Sequence, residues 1–282
     1  MSARPSIRDF LYEPPGPRAR RRIIAATVVS AAAVAAGLAL VVRQFAVTGQ
    51  LDARYWSFFA RATTWRFLGQ GLAGTVKAAL AAGALTFCMG LLLMLGRINR
   101  LRPVQAVSRV LIEFSRGVPT LLFIYFFFLA APQLGLKLSA FWKVALPVAL
   151  SAAGMVAEVL RSGVNAVPRG QTEAALSLGM REGSVFFKIV FPQALRSVVP
   201  ALISELVIVL KDTTFAYVVN YADLMQNAKV LISNYDALLS VYLVVAVIYI
   251  LINYAVNKLA EAAARRTAPA GKEPLHGTDT RN

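Results

Sequence analysis

The residues able to do acid–base, nucleophilic or metal chemistry are few and scattered. The single histidine, His276, lies in a polar tail, and the single cysteine, Cys88, lies inside an apolar run. These two residues cannot supply a Ser–His pair in the core, an intrachain disulfide or a cysteine-rich metal site. No glycine-rich loop ends in Gly-Lys-Ser/Thr, since Gly271-Lys272 is followed by Glu273 and lacks the upstream glycine. The chain therefore has no phosphate cradle of its own for ATP, and neither a catalytic set nor a cofactor or metal is expected. What remains is a set of charges embedded in apolar sequence. An ionisable group at the centre of a bilayer costs about 2.5–3.5 kcal/mol on insertion scales, so each needs a reason. Lys211, Asp212, Thr213 and Thr214 read equally well as part of a polar pathway or its gate and as a self-compensating pair at a helix break. Glu158 and Arg161 are three apart and share a helix face, which favours a local ion pair. The functional alternative has Glu158 lining a cavity and meeting an ammonium group. Glu113 and Arg116 allow the same two readings.

The elements that must position these charges are membrane spans. The chain has 282 residues and is 57% hydrophobic, above the usual share for a soluble domain. The excess sits in long runs nearly free of charge. Six stretches qualify or nearly qualify as spans: residues 23–42, 72–95, 107–131, 140–160, 198–219 and 237–259. The third is the weakest, because Glu113 and Arg116 interrupt its first half. The first follows Arg20, Arg21 and Arg22, is longer than an export-signal core and is read as an uncleaved anchor. The formal net charge is +16. Its basic residues flank apolar runs, which points to anchoring at a membrane face and away from nucleic acid. Segments carrying Arg18 to Arg22, Arg97 to Arg102, Arg161 to Arg196 and Lys258 to Arg266 hold most of the cations, so both termini are expected on the cytoplasmic side. Residues 51–71 are rich in Trp, Phe and Arg and suggest an amphipathic helix along the outer interface. The resulting division is a basic cytoplasmic tail (1–22), an anchor with its external segment (23–70), a main membrane domain (71–261) and a disordered cytoplasmic tail (262–282). Small residues such as Ala81, Ala82, Gly83 and Gly90 in the second span favour close helix packing.

The most informative segment joins the fourth and fifth spans. Thr172 is expected to cap a helix starting at Glu173, where the dipole favours an acid. Ala174 and Ala175 would leave one face bare for another protein's backbone, and Gly179 would end the helix. Gly183 would allow a second turn. An apolar stretch from Val185 to Phe191 would return to the membrane, with Pro192 breaking it before the fifth span. The product is a short, stiff helix standing clear of the bilayer.

This pattern of Glu-Ala-Ala, a glycine four residues after the second alanine, and Ile-Val-Phe-Pro at the far end resembles the signature loop of ABC importer permeases. Arg116-Gly117-Val118-Pro119-Thr120, Ala157-Glu158-Val159-Leu160-Arg161-Ser162-Gly163 and Lys211-Asp212-Thr213-Thr214-Phe215 are similar to segments of the polar amino acid subfamily. The resemblance runs from about Gly71 to the end of the sixth span. It implies an all-α integral membrane protein with six transmembrane helices, a type I importer fold and a cytoplasmic coupling helix. Glu173, Ala174, Ala175, Gly179, Arg181 and Pro192 would then serve coupling to a separate ATP-binding-cassette ATPase. Implied partners are that ATPase, a second permease subunit, identical or homologous, and an extracellular substrate-binding protein. Residues 11–17 are similar to the start of glutamate permeases of high-GC Gram-positive bacteria, which makes glutamate the expected substrate and a bacterial cell membrane the expected location. The alternatives are an ion-coupled secondary transporter and a membrane scaffold.

Overall fold

The structure, a computed structural model, describes residues 16–267. Of the tails expected over 1–22 and 262–282, residues 1–15 and 268–282 lie outside the described residues, while residues 262–267 are not disordered but continue the last helix, Leu238–Thr267. The chain divides after Ser57 into two units. The first contains helix α1 (Pro17–Val47), which starts with proline in its first turn and buries none of its residues. Proline fits there because its missing N–H would be unpaired in any case. Residues 17–22, expected in a tail, already belong to this helix.

The second unit holds α2 (Ala62–Arg97), α3 (Arg102–Gly117), α4 (Thr120–Gln133), α5 (Trp142–Ala166), α6 (Arg169–Ser177), α7 (Glu182–Val185), α8 (Phe191–Asp212), α9 (Leu224–Tyr235) and α10 (Leu238–Thr267). A π-helical turn (Phe186–Val190) joins α7 to α8, and a 3-10 segment (Thr213–Val219) follows α8. The interfacial helix expected over 51–71 does not form. Two short 3-10 turns take its place, and α2 begins at Ala62. Thr64 Oγ1 and Trp65 Nε1 each donate at 2.7 Å to carbonyls of Phe58 and Phe59, and so tie the turn to the start of α2.

α5 is the central post. It packs against α2, α3, α4 and α8, and most of its length is buried. Alanines make this possible: Ala145, Ala149, Ala153 and Ala157 are all at or below 1% exposure. Side chains this short let neighbouring helices approach closely where the hydrophobic effect gives no drive.

Among the described residues, five helices are long and apolar enough to cross a bilayer singly. The expected third span is instead a bent pair, with α3 and α4 meeting at 98°. Pro119 forces this. It pushes Val118 into extended backbone (ψ 124°), so the helix stops at Gly117 and restarts at Thr120. The pair must still carry the chain across. α2 starts beside residues 222–227 and ends near Arg100, which pairs with Glu182 at the other end of the unit. α5 leads directly into α6 and α7, so it ends where α2 ends. The chain between them must return to the opposite end, and α3 with α4 is the only segment available. With the bent pair taken as one span, the described residues hold up to six crossings.

Candidate functional site

Two clusters hold the residues singled out in the sequence: a hook formed by α6 and α7, and polar groups within the spans.

The hook starts earlier than its sequence suggests. Pro168 stands at the N-cap with extended backbone (ψ 133°), and α6 begins at Arg169. Thr172 lies inside the helix and does not cap it. Ser177 Oγ donates to the Glu173 carbonyl at 3.0 Å. The end of α6 falls where expected. Gly179 has φ +77°, and its N–H donates to the Leu176 carbonyl at 2.9 Å. The Met180 N–H donates to the Ala175 carbonyl at 3.2 Å. These two bonds are the Schellman arrangement, which requires a residue at ease in left-handed backbone.

Ala175 does not face outward. It is 3% exposed and packs with Val185 and Val190, flanked by Met180 and Phe186. It therefore fastens the hook to its own root. Glu173, Ala174 and Arg181 are exposed. The outward tip is apolar in a way the sequence reading missed: Leu178 is 84% exposed, and Leu176 beside it is 41% exposed. Leu178 is the most exposed large apolar side chain among the described residues, and it stands on a turn closed by two backbone hydrogen bonds. A groove of about 500 Å³ runs along the hook's root, lined by Asn165, Arg169, Thr172, Leu176, Glu182 and Phe186 among others. Glu182 is also the partner of Arg100 from the α2–α3 turn.

Pro192 does not break the helix on the way back. The π turn absorbs it: the Phe191 N–H reaches the Phe186 carbonyl, five residues back. Pro192 then sits in the first turn of α8, where a missing N–H is tolerated. Gln193 Nε2 donates to the Ile189 carbonyl at 2.9 Å.

In the spans, Glu158 and Arg161 form the local ion pair, with contacts of 2.6 and 2.9 Å. Glu113 and Arg116 approach to 3.9 Å. Lys211 and Asp212 do not compensate one another: no ion pair joins them among the described residues. Asp212 Oδ2 accepts instead from Thr120 Oγ1 at 2.6 Å, and Ser151 Oγ lies 2.8 Å from the same Thr120 oxygen. With Thr120 donating to the carboxylate, Ser151 is the donor to Thr120. Ser115, just before the elbow, donates to the Leu150 carbonyl at 2.6 Å and accepts from the Gly154 N–H at 3.0 Å. The elbow of the bent pair is thus fixed to α5 and to the end of α8. Thr213 is buried and bonded to the Leu210 carbonyl, Thr214 is half-buried, and Lys211 is exposed.

At the end opposite the hook, a seam joins α2 to α9. Asp223 is fully buried and caps α9 by accepting from the Gln226 N–H at 2.7 Å. Thr75 Oγ1 accepts from the Leu224 N–H at 3.0 Å, Asn227 Nδ2 donates to the Phe67 carbonyl at 2.7 Å, and Tyr221 donates to the Gly74 carbonyl at 3.1 Å. Burial pushes the Asp223 carboxyl up to about 6. No sequence signal pointed to this seam.

The hook and the spans of the second unit have counterparts in known proteins. The sequence profile of binding-protein-dependent transport system inner membrane components matches residues 86–269. The chain belongs to this family. Among its relatives, the glutamate transport system permease protein GluD of Corynebacterium glutamicum is 33% identical, over 83% of this chain and 91% of the relative. The probable glutamine ABC transporter permease protein GlnP of Bacillus subtilis is 32% identical, over 71% and 91% of the two chains. Among solved structures, an amino acid ABC transporter with histidines superimposes with a TM-score of 0.69 at 30% identity, covering 74% of this permease and 98% of that chain. The inward-facing MetNI methionine ABC transporter, at 17% identity and a TM-score of 0.63, shares the fold. The permease is thus a multi-pass membrane protein with the type I importer fold, and its family is a non-catalytic subunit.

Proposed function

We infer that this permease carries a polar amino acid into the cell, driven by a separate ATP-binding-cassette ATPase that grips the α6–α7 hook. The observation that carries this reading is the hook itself. It is a short helix locked by Gly179, fastened inward by Ala175 and presenting Leu178 in the open. A rigid projection with an apolar tip transmits displacement, which a flexible loop would dissipate. Glu173, Ala174 and Arg181 surround that tip, and Gly179 and Pro192 shape its two ends. The excess of arginine and lysine on segments at the hook's end supports a cytoplasmic hook and cytoplasmic termini in a bacterial inner membrane.

Two permease subunits, each resting on one ATPase, would enclose the pathway, and an external binding protein would deliver the substrate. ATP binding closes the ATPase pair, draws the hooks together and opens the pathway outward; hydrolysis restores the inward state. Glutamate is the substrate we assign, supported by the names of the relatives, which include glutamate and glutamine permeases. The permease reconstituted in proteoliposomes with its ATPase and binding protein should accumulate labelled glutamate only with ATP, and unlabelled glutamate should compete better than glutamine or arginine. Accumulation without nucleotide, driven by an ion gradient, would establish a secondary carrier instead.

A further inference from the structure

The bent pair sets two unlike helices at a right angle. α4 carries no charge on any side, so it suits the hydrocarbon. α3 has two faces. Val107, Val110, Leu111 and Phe114 lie on one side and are all between 48% and 65% exposed. Arg102, Arg109, Glu113 and Arg116 fall on the opposite side at helical spacing and are exposed as well. With α4 directed across the bilayer, the 98° elbow lays α3 along the membrane surface, its apolar side toward lipid and its charged side toward water. The segment from Arg97 to Gly117 holds five arginines and one acid. Arg100 is paired with Glu182 and Arg116 with Glu113, while Arg97, Arg102 and Arg109 make no ion pair among the described residues. Inside the elbow runs a groove of about 720 Å³, the size of a small-molecule site. Met89 and Leu92 of α2, Phe114 of α3, and Leu122 and Phe126 of α4 help to line it. Ser115, the polar side chain in its wall, is spent on the Leu150 carbonyl and the Gly154 N–H. The wall therefore offers nothing to water or to a polar solute. Leu92 lies about 8 Å along α2 from Arg97, so the groove opens just beneath the arginines.

We propose that the elbow groove holds an acyl chain of an anionic phospholipid whose headgroup is met by Arg97 and Arg102 at the α2–α3 turn. Two observations choose this occupant. A carbon-lined groove within the hydrocarbon loses contacts if it stands empty, and a lipid chain restores them. The arginine excess beside it selects a negative headgroup, as basic pockets between membrane helices do, and Arg109 adds to the same field. A second copy seated there by two-fold symmetry would bring its own arginines against these and be repelled. The site rests on the membrane fold alone. Only its assignment to the inner leaflet rests on the cytoplasmic placement of the hook proposed above.

The full-length permease, purified with its partner subunits, is stripped of loose lipid in mild detergent and titrated with phosphatidylglycerol or phosphatidylcholine. Native mass spectrometry should find phosphatidylglycerol held on each permease about tenfold more tightly than phosphatidylcholine. Arg97→Gln combined with Arg102→Gln should abolish that preference and leave both lipids at the weaker level. Leu122→Trp, which fills the groove from an exposed position, should lose phosphatidylglycerol while keeping its melting temperature in lipid-free detergent. Leu92→Trp repeats the test from α2. Equal retention of the two lipids by the unsubstituted permease would make the arginines bystanders and overturn the proposal, as would unchanged retention in both tryptophan variants. In a Cys88→Ser background, a disulfide from Leu122→Cys to its own copy, or to Ala31→Cys of α1, would show that protein covers the groove and would overturn it equally. None of these readouts uses ATP. Failure of the site therefore leaves ATP-driven uptake in place, and failure of the importer reading removes that uptake without touching lipid retention.

Discussion

The hook and the seam sit at opposite ends of the same unit and are held by opposite means. Every bond that shapes α6 and its turn joins residues close in sequence: Gly179 to Leu176, Met180 to Ala175, Ser177 to Glu173. The seam is held by pairs far apart in the chain, with Tyr221 and Gly74 separated by 147 positions and Asn227 and Phe67 by 160. The hook leaves an apolar side chain in the open, whereas the seam buries a carboxylate. A locally closed motif keeps its shape while its surroundings move, which suits a part that must be pushed. A seam of long-range bonds depends on the packing of the whole bundle.

The sharpest way to break the comparison is at the seam. A Cβ at Gly74 would collide with the Ala222 carbonyl, and one at Gly71 would come within 2.7 Å of the Asp223 carbonyl. Gly74→Ala should therefore cost about 3 kcal/mol by overpacking, read as a lower melting temperature in detergent. Next comes pH. Burial holds Asp223 at about 6, above its ordinary value of 3.8, so the folded state binds a proton that the unfolded state has already released. Stability should fall as pH rises from about 4 through 6, by roughly 3 kcal/mol in all. Asp223→Asn keeps a capping side chain and should flatten melting temperature across that window.

The hook should respond in function and scarcely in stability. Leu178→Asp should leave the melting temperature unchanged while cutting ATP-driven uptake about tenfold, as loss of a central contact does in an interface. Gly179→Ala should add a backbone cost of about 1 kcal/mol to a similar loss of uptake. The smallest effect belongs to the pair Glu158–Arg161. Its partners are 23% and 36% exposed, so Arg161→Met should cost about 0.5 kcal/mol by melting and leave uptake near normal.

The same contrast explains what could be read in the sequence. Spans and hook are local matters of composition and turn chemistry. Gly179 was legible because a helix ending in left-handed backbone calls for glycine. The start of α6 was misplaced because Thr172 has the chemistry of a cap, yet Pro168 had already fixed the entry. The facing of Ala175 was illegible, since nine residues hold too few turns to define an inward side. The elbow was visible as Val118-Pro119 but was read through as one span, because the apolar run continues across it. Thr120 and Asp212 lie 92 positions apart, and nothing local announces their bond. The seam could not be foreseen for the same reason.

The partner that touches Leu178 decides whether the hook is a coupling element. A photoreactive amino acid in place of Leu178, activated in intact bacterial membranes, should give one major adduct with an ATP-binding protein on the cytoplasmic side, identifiable by mass spectrometry. An adduct formed only with proteins outside the cell, or with lipid alone, would contradict it.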